Sequence, residues 1–184
     1  MSSDTTRIAL AEVAAQLNAD GGLLADTLLP ANQIEPAADD PALGALAAGG
    51  PLSTGREQQI AAIVEAVYEG YLLHGGQSRI LSVADRDLNI LTGDRLYALG
   101  LAQLAQLGDL DSVRELSDVI AISSQARAIN NEPLAAAAWQ LAASAIGWGS
   151  SPASEAAKAE VARDHQAAAT ALGVAARQLR EGVA

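Results

Sequence analysis

The chain has 184 residues, enough to bury a continuous core within one domain, and half of them are hydrophobic. Eleven basic against twenty-two acidic residues leave a net charge of −11, and Lys158 is the only lysine, so nucleic-acid backbones and anionic membranes are repelled on average. With no cysteine, disulfide and thiolate chemistry is excluded, which suits a reducing compartment.

The apolar content is mostly Ala, Leu, Ile and Val, with no Phe, three Tyr and two Trp, a mixture that favours helices packed closely through small side chains and so an all-α bundle. The start MSSDTTRIALAEVAAQL lacks a basic leader and a long apolar run, and no stretch reaches the length needed to span a bilayer. The reading is a cytoplasmic protein with no stable membrane insertion. Ile8, Ala11, Val13, Ala15 and Leu17 give a diffuse apolar face to a first helix from about Asp4 to Asn18, with Ser2 or Ser3 as its cap. Asp20-Gly21-Gly22 ends it, and a short apolar stretch follows from Leu23 to Leu29. Pro30, Pro36, Pro41, Gly49, Gly50 and Pro51 then allow only short helical turns. Residues 1–52 therefore read as an N-terminal helix and an arm that links or wraps a partner, ahead of a bundle core over residues 53–184.

Thr54-Gly55-Arg56-Glu57 fits a capping box that opens the next helix. Ile60, Ile63, Val64, Val67, Tyr71 and Leu72 recur at spacings of three and four, and Gly75-Gly76 closes that helix. A helix from about Asp87 to Leu107 carries Leu91, Leu96, Leu99, Leu101, Leu104 and Leu107 on more than one side, predicting burial on both faces, and Gly108 stops it. Asp109 or Asp111 caps a helix aligning Val113, Leu116, Ile120 and Ser124, and Pro133 marks a break or the first turn of a helix through Trp139 to Ile146. Gly147 to Pro152 is a turn. One last helix, about Pro152 to Arg180, presents Val161, Ala168, Leu172, Ala175 and Leu179 on one side, with Gly182 after its end.

Glu65 to Gly76, EAVYEGYLLHGG, resembles the helix that carries the first aspartate-rich region of trans-prenyl diphosphate synthases: Glu65, Leu72, Leu73 and His74 keep their places, while Gly75 and Gly76 stand where the aspartate pair begins. Asn89-Ile90-Leu91-Thr92-Gly93-Asp94-Arg95-Leu96-Tyr97-Ala98 is similar to the family's Ile-Leu-Ala-Gly-Asp-Tyr-Leu-Leu-Ala segment, and Val113 to Ile120 looks like its next helix. The likeness spans residues 57 to 128. It implies an all-α helical bundle resembling a truncated isoprenoid synthase fold.

Chain elongation by that family needs divalent cations on the diphosphate leaving group. Here the one adjacent aspartate pair, Asp39-Asp40, lies before Pro41, and no second aspartate cluster appears. The expectation is a chain with no catalytic residues, metal or cofactor of its own. The resemblance implies a non-catalytic small subunit of a heterodimeric hexaprenyl or heptaprenyl diphosphate synthase, whose partner is the catalytic subunit and whose product length it influences. The alternative is a stand-alone homodimeric scaffold or apolar-ligand-binding bundle. Val64, Val67, Tyr68, Tyr71, Leu72, Leu91, Tyr97 and Leu101 would be the partner interface or tunnel wall, and Asp94 and Arg95 a structural polar pair. Gln77, Ser78, Arg79, Asp85, Arg86 and Asp87 read as a solvated interhelical loop. His74 and His165 lack a partner at metal-ligand spacing.

Overall fold

The computed structural model describes residues 2–22, 24–37 and 39–182, Ser2 by its backbone alone. The capping role expected of Ser2 and the apolar start at Leu23 lie outside that description. Among the described residues there are eight α-helices and no sheet: α1 (Ser2–Asp20), α2 (Leu43–Ala48), α3 (Glu57–His74), α4 (Arg86–Gln106), α5 (Leu110–Ala128), α6 (Glu132–Trp148), α7 (Pro152–Glu160) and α8 (His165–Glu181). Short 3-10 turns at Ala25–Thr27, Ala31–Gln33 and Pro51–Ser53 punctuate the proline-rich stretch. No helix among the described residues is long and apolar enough to cross a membrane.

α3 and α6 are enclosed on most of their circumference. Ile60, Ile63, Val64, Val67 and Tyr71 of α3 belong to the larger core with Leu116 and Val119 of α5, Leu134, Trp139 and Leu141 of α6, and Leu172 and Leu179 of α8. The opposite side of α3, with Ala61, Ala62, Ala66 and Leu73, belongs to a second core with Leu10, Val13 and Leu17 of α1 and Leu96 of α4. α3 is thus the wall between the two. α4 lies very close to it: a Cβ on Gly70 would meet the Gly93 carbonyl oxygen at 2.8 Å, one on Gly93 would meet the Gly70 oxygen at 2.9 Å, and one on Gly100 would run into Val67.

Several local expectations change. α1 begins at Ser2, so Ser3 lies inside it. No side chain caps α3 from its N-cap residue Arg56. Instead Glu57 reaches back to accept from the Gly55 N–H, which holds its carboxyl below the usual range, and the Thr54 hydroxyl donates to Pro51 O. α4 is not buried on both faces: Leu96 and Leu104 are inside, Leu91 and Leu107 are exposed, and Ala98, Ala102 and Ala105 complete an outer side. In α5 Ser112 and Ser123 are buried, whereas Ser124 faces out. The single last helix is two, because the Asp164 carboxylate takes the N–H groups of Gln166 and Ala167 and starts α8 afresh. Asp109, Asn131 and the Ser151–Ser154 capping box start α5, α6 and α7.

Candidate functional site

The C-terminal half of α3 carries Glu65, Tyr68, Glu69 and Leu72 at helical spacings of three and four, so one face presents two carboxylates and an aromatic ring to the loop that follows. Arg79 of that loop folds back onto them. Its side chain is 9% exposed, and it donates from Nε to Glu69 at 2.5 Å, from Nη2 to Glu65 at 2.7 Å and from Nη1 to Asp40 at 2.6 Å. Its guanidinium also lies over the Tyr68 ring, 5.1 Å from the centroid. The remaining acceptors are used: Gly44 N–H donates to Glu65 Oε1, Ser78 Oγ to Glu69 Oε2, and Ala42 N–H to Asp40 Oδ1.

Three carboxylates thus share one guanidinium in a place with almost no water. Burial pushes the Glu65 carboxyl above its ordinary value, with Arg79 and the Gly44 amide pulling the other way. Burial also works against the charge on Arg79, but Glu65, Glu69 and Asp40 outweigh it and hold the guanidinium protonated. Removing Arg79 would strand the buried acids, a loss of about 3–5 kcal/mol. A cleft of about 650 Å³ opens beside this cluster, lined by Asp39, Tyr68, Leu72, Gln77, Leu81 and Val83 among others. Among its described lining residues the one basic side chain, Arg79, is spent on the acids. Burial raises the Tyr68 hydroxyl to about 12.

A second cluster lies one turn on. Tyr68 and Tyr71 stack at 5.9 Å, and Trp139 of α6 meets both, at 5.1 and 5.6 Å. Arg127 of α5 covers Tyr71, 4.1 Å from the ring centroid, and donates from Nη2 to the Tyr71 carbonyl. A Cβ on Gly75 would run into Arg127 Nη1, so glycine at this position makes room for the guanidinium. His74 sits edge-on to Tyr97 and hydrogen-bonds through Nε2 to Asp94 Oδ1 at 3.0 Å. The Tyr97 hydroxyl and Trp139 Nε1 are buried with no hydrogen-bond partner among the described residues. Elsewhere Lys158 draws Glu115, Asp118 and Glu155 together across α5 and α7. Burial opposes its charge, yet hydrogen bonds to the three acids raise its pKa.

The residues singled out from the sequence divide accordingly. Val64, Val67, Tyr71 and Tyr97 are core of this chain itself, so they are not surface for a partner; Tyr68 and Leu72 border the cleft; Leu101 is half-buried against the core; Leu91 is 65% exposed. Asp94 and Arg95 do not pair with each other, since adjacent helical residues point in different directions. Asp94 pairs with His74 and Arg95 with Asp20 at the end of α1. The loop after His74 is not merely solvated, because Arg79 is its buried anchor, and the arm wraps α1 and α3 of its own chain. The Arg79 cluster was missed from the sequence, although Glu65 and Glu69 four apart in an apolar helix signal a need for a cation. Among the described residues, no three His, Asp or Glu side chains are arranged to hold a metal ion. Compared with family models, curated proteins and solved structures, the chain matches none.

Proposed function

We propose that the chain is a non-catalytic subunit of a heterodimeric trans-prenyl diphosphate synthase and acts on product length through its catalytic partner. The observation that carries this reading is the state of Gly75. The resemblance in α3 and α4 would set an aspartate there, and the chain instead has a glycine whose side-chain space is taken by its own Arg127. An acid at that point would meet a guanidinium already committed to Tyr71, and the described residues lining the neighbouring cleft include no free cation for a diphosphate. Such a chain would contribute shape and contact surface, with the metal-bound chemistry left to its partner. Exposed Leu91 and the alanines Ala98, Ala102 and Ala105 on the outer side of α4, with Asp94 and Arg95 between them, would supply the surface.

Co-expression with a synthase that carries both aspartate clusters tests it. A stable complex with a changed product length supports the reading, and a chain that ignores every such synthase overturns it. A second reading, a stand-alone homodimeric scaffold or apolar-ligand bundle, is favoured by one observation: the α3 stripe of Val64, Val67 and Tyr71 is already covered within the chain. Sedimentation of the lone protein as a stable dimer would favour it.

A further inference from the structure

The connection between α1 and α2 is thinly anchored among the described residues. From Leu24 to Ala42, Ile34 is the one buried residue among those described. Otherwise the segment rests on half-buried Leu24, Leu28 and Leu29 and on two backbone bonds to the loop after α3: Leu29 N–H to Ile80 O at 2.9 Å, and Ser82 N–H to Thr27 O at 2.8 Å. Gly21 and Gly22, both at positive φ with open space around them, form one end. Ala42, at φ 49, forms the other. Alanine resists this left-handed conformation because its Cβ crowds the backbone. One side chain governs that end: Asp40 accepts the Ala42 N–H on Oδ1 at 2.8 Å and the Arg79 Nη1–H on Oδ2 at 2.6 Å.

We propose that residues 24–42 form a strap that opens and closes as a unit over the cleft at Tyr68 and Leu72, with the Asp40–Arg79 pair as its latch and Ala42 as its sprung hinge. Segments with little apolar burial open at lower free energy than the whole fold. The latch is also the one of the three pairs Arg79 makes whose acid keeps some exposure. Asp40 is the acid on the rim, with side-chain exposure of 7% against 0% for Glu65 and Glu69. Its release leaves the guanidinium still paired twice, relieves the crowding of three like charges and frees Ala42 to relax. An open strap removes the wall made by Ala37, Asp39, Asp40 and Pro41, widening the cleft toward Tyr68.

Hydrogen exchange on the full chain, read by mass spectrometry, tests the device. Asp40→Asn keeps an oxygen for the Ala42 N–H but can turn an amide N–H₂ toward Arg79. Exchange at Leu29 and Ser82 should quicken about tenfold or more, the loss of one charge-assisted hydrogen bond. Ala42→Gly removes the hinge strain and should slow the same amides. Peptides from α6 should be unchanged in both variants. The proposal fails if Asp40→Asn leaves the strap unaltered or loosens α6 equally, or if Ala42→Gly hastens strap exchange.

Discussion

At the scale of single residues, the molecule's most consequential choice is to bury Glu65. Its carboxyl is raised above the unfolded value of 4.5 chiefly by burial, so the folded state holds the proton more tightly than the unfolded state does. Stability contributed by the protonated group is present below 4.5 and is lost as pH rises from there through the folded value. Glu65→Gln is neutral throughout and keeps an oxygen for Gly44. The melting temperature of this variant relative to the parent should therefore climb as pH rises across that window. Thermal denaturation followed by circular dichroism at a series of pH values reads it directly, and a difference that stays flat with pH would mean that Glu65 does not titrate there.

At the scale of helices, close approach sets where a methyl group is tolerated. Alanine favours a helix over glycine by roughly 0.5–1 kcal/mol, but at Gly70 the new Cβ meets Tyr97 and the Gly93 carbonyl, and overpacking of this kind costs about 1–3 kcal/mol. Gly70→Ala should destabilise. At Gly173 in α8 nothing lies within 4 Å, so Gly173→Ala should stabilise by up to about 1 kcal/mol. Urea denaturation of the two variants compares them, and equal shifts of the same sign would contradict the α3–α4 geometry. These helices differ in how plainly the chain announces them. α3 was legible because Ile60, Ile63, Val67 and Tyr71 repeat at helical spacing, and α6 because Pro133 marks its first turn. The break between α7 and α8 was not, since no glycine or proline stands there and Asp164 acts through a local side-chain bond that periodicity does not register. The Arg79 cluster escaped for a related reason. Asp40, Glu65, Glu69 and Arg79 come from three segments, and only the fold brings them to one point. Asp94 and Arg95 misled through adjacency, which on a helix separates side chains.

At the scale of the whole molecule, the arm, the two cores and the Arg79 cluster are arranged around one helix. α3 contributes Ile63, Val67 and Tyr71 to one core and Ala62, Ala66 and Leu73 to the other. It also carries Glu65 and Glu69 for Arg79. Domains above about 150 residues often unfold in steps, yet here neither core retains a complete lining once α3 departs. Calorimetry should accordingly give a single heat-absorption peak with matching calorimetric and van't Hoff enthalpies, whereas two resolved peaks would mean that each half survives alone. The same sharing means that a nick or insertion anywhere from Glu57 to His74 would dismantle both halves together, so viable split or permuted versions must break the chain in a connection and leave this helix whole.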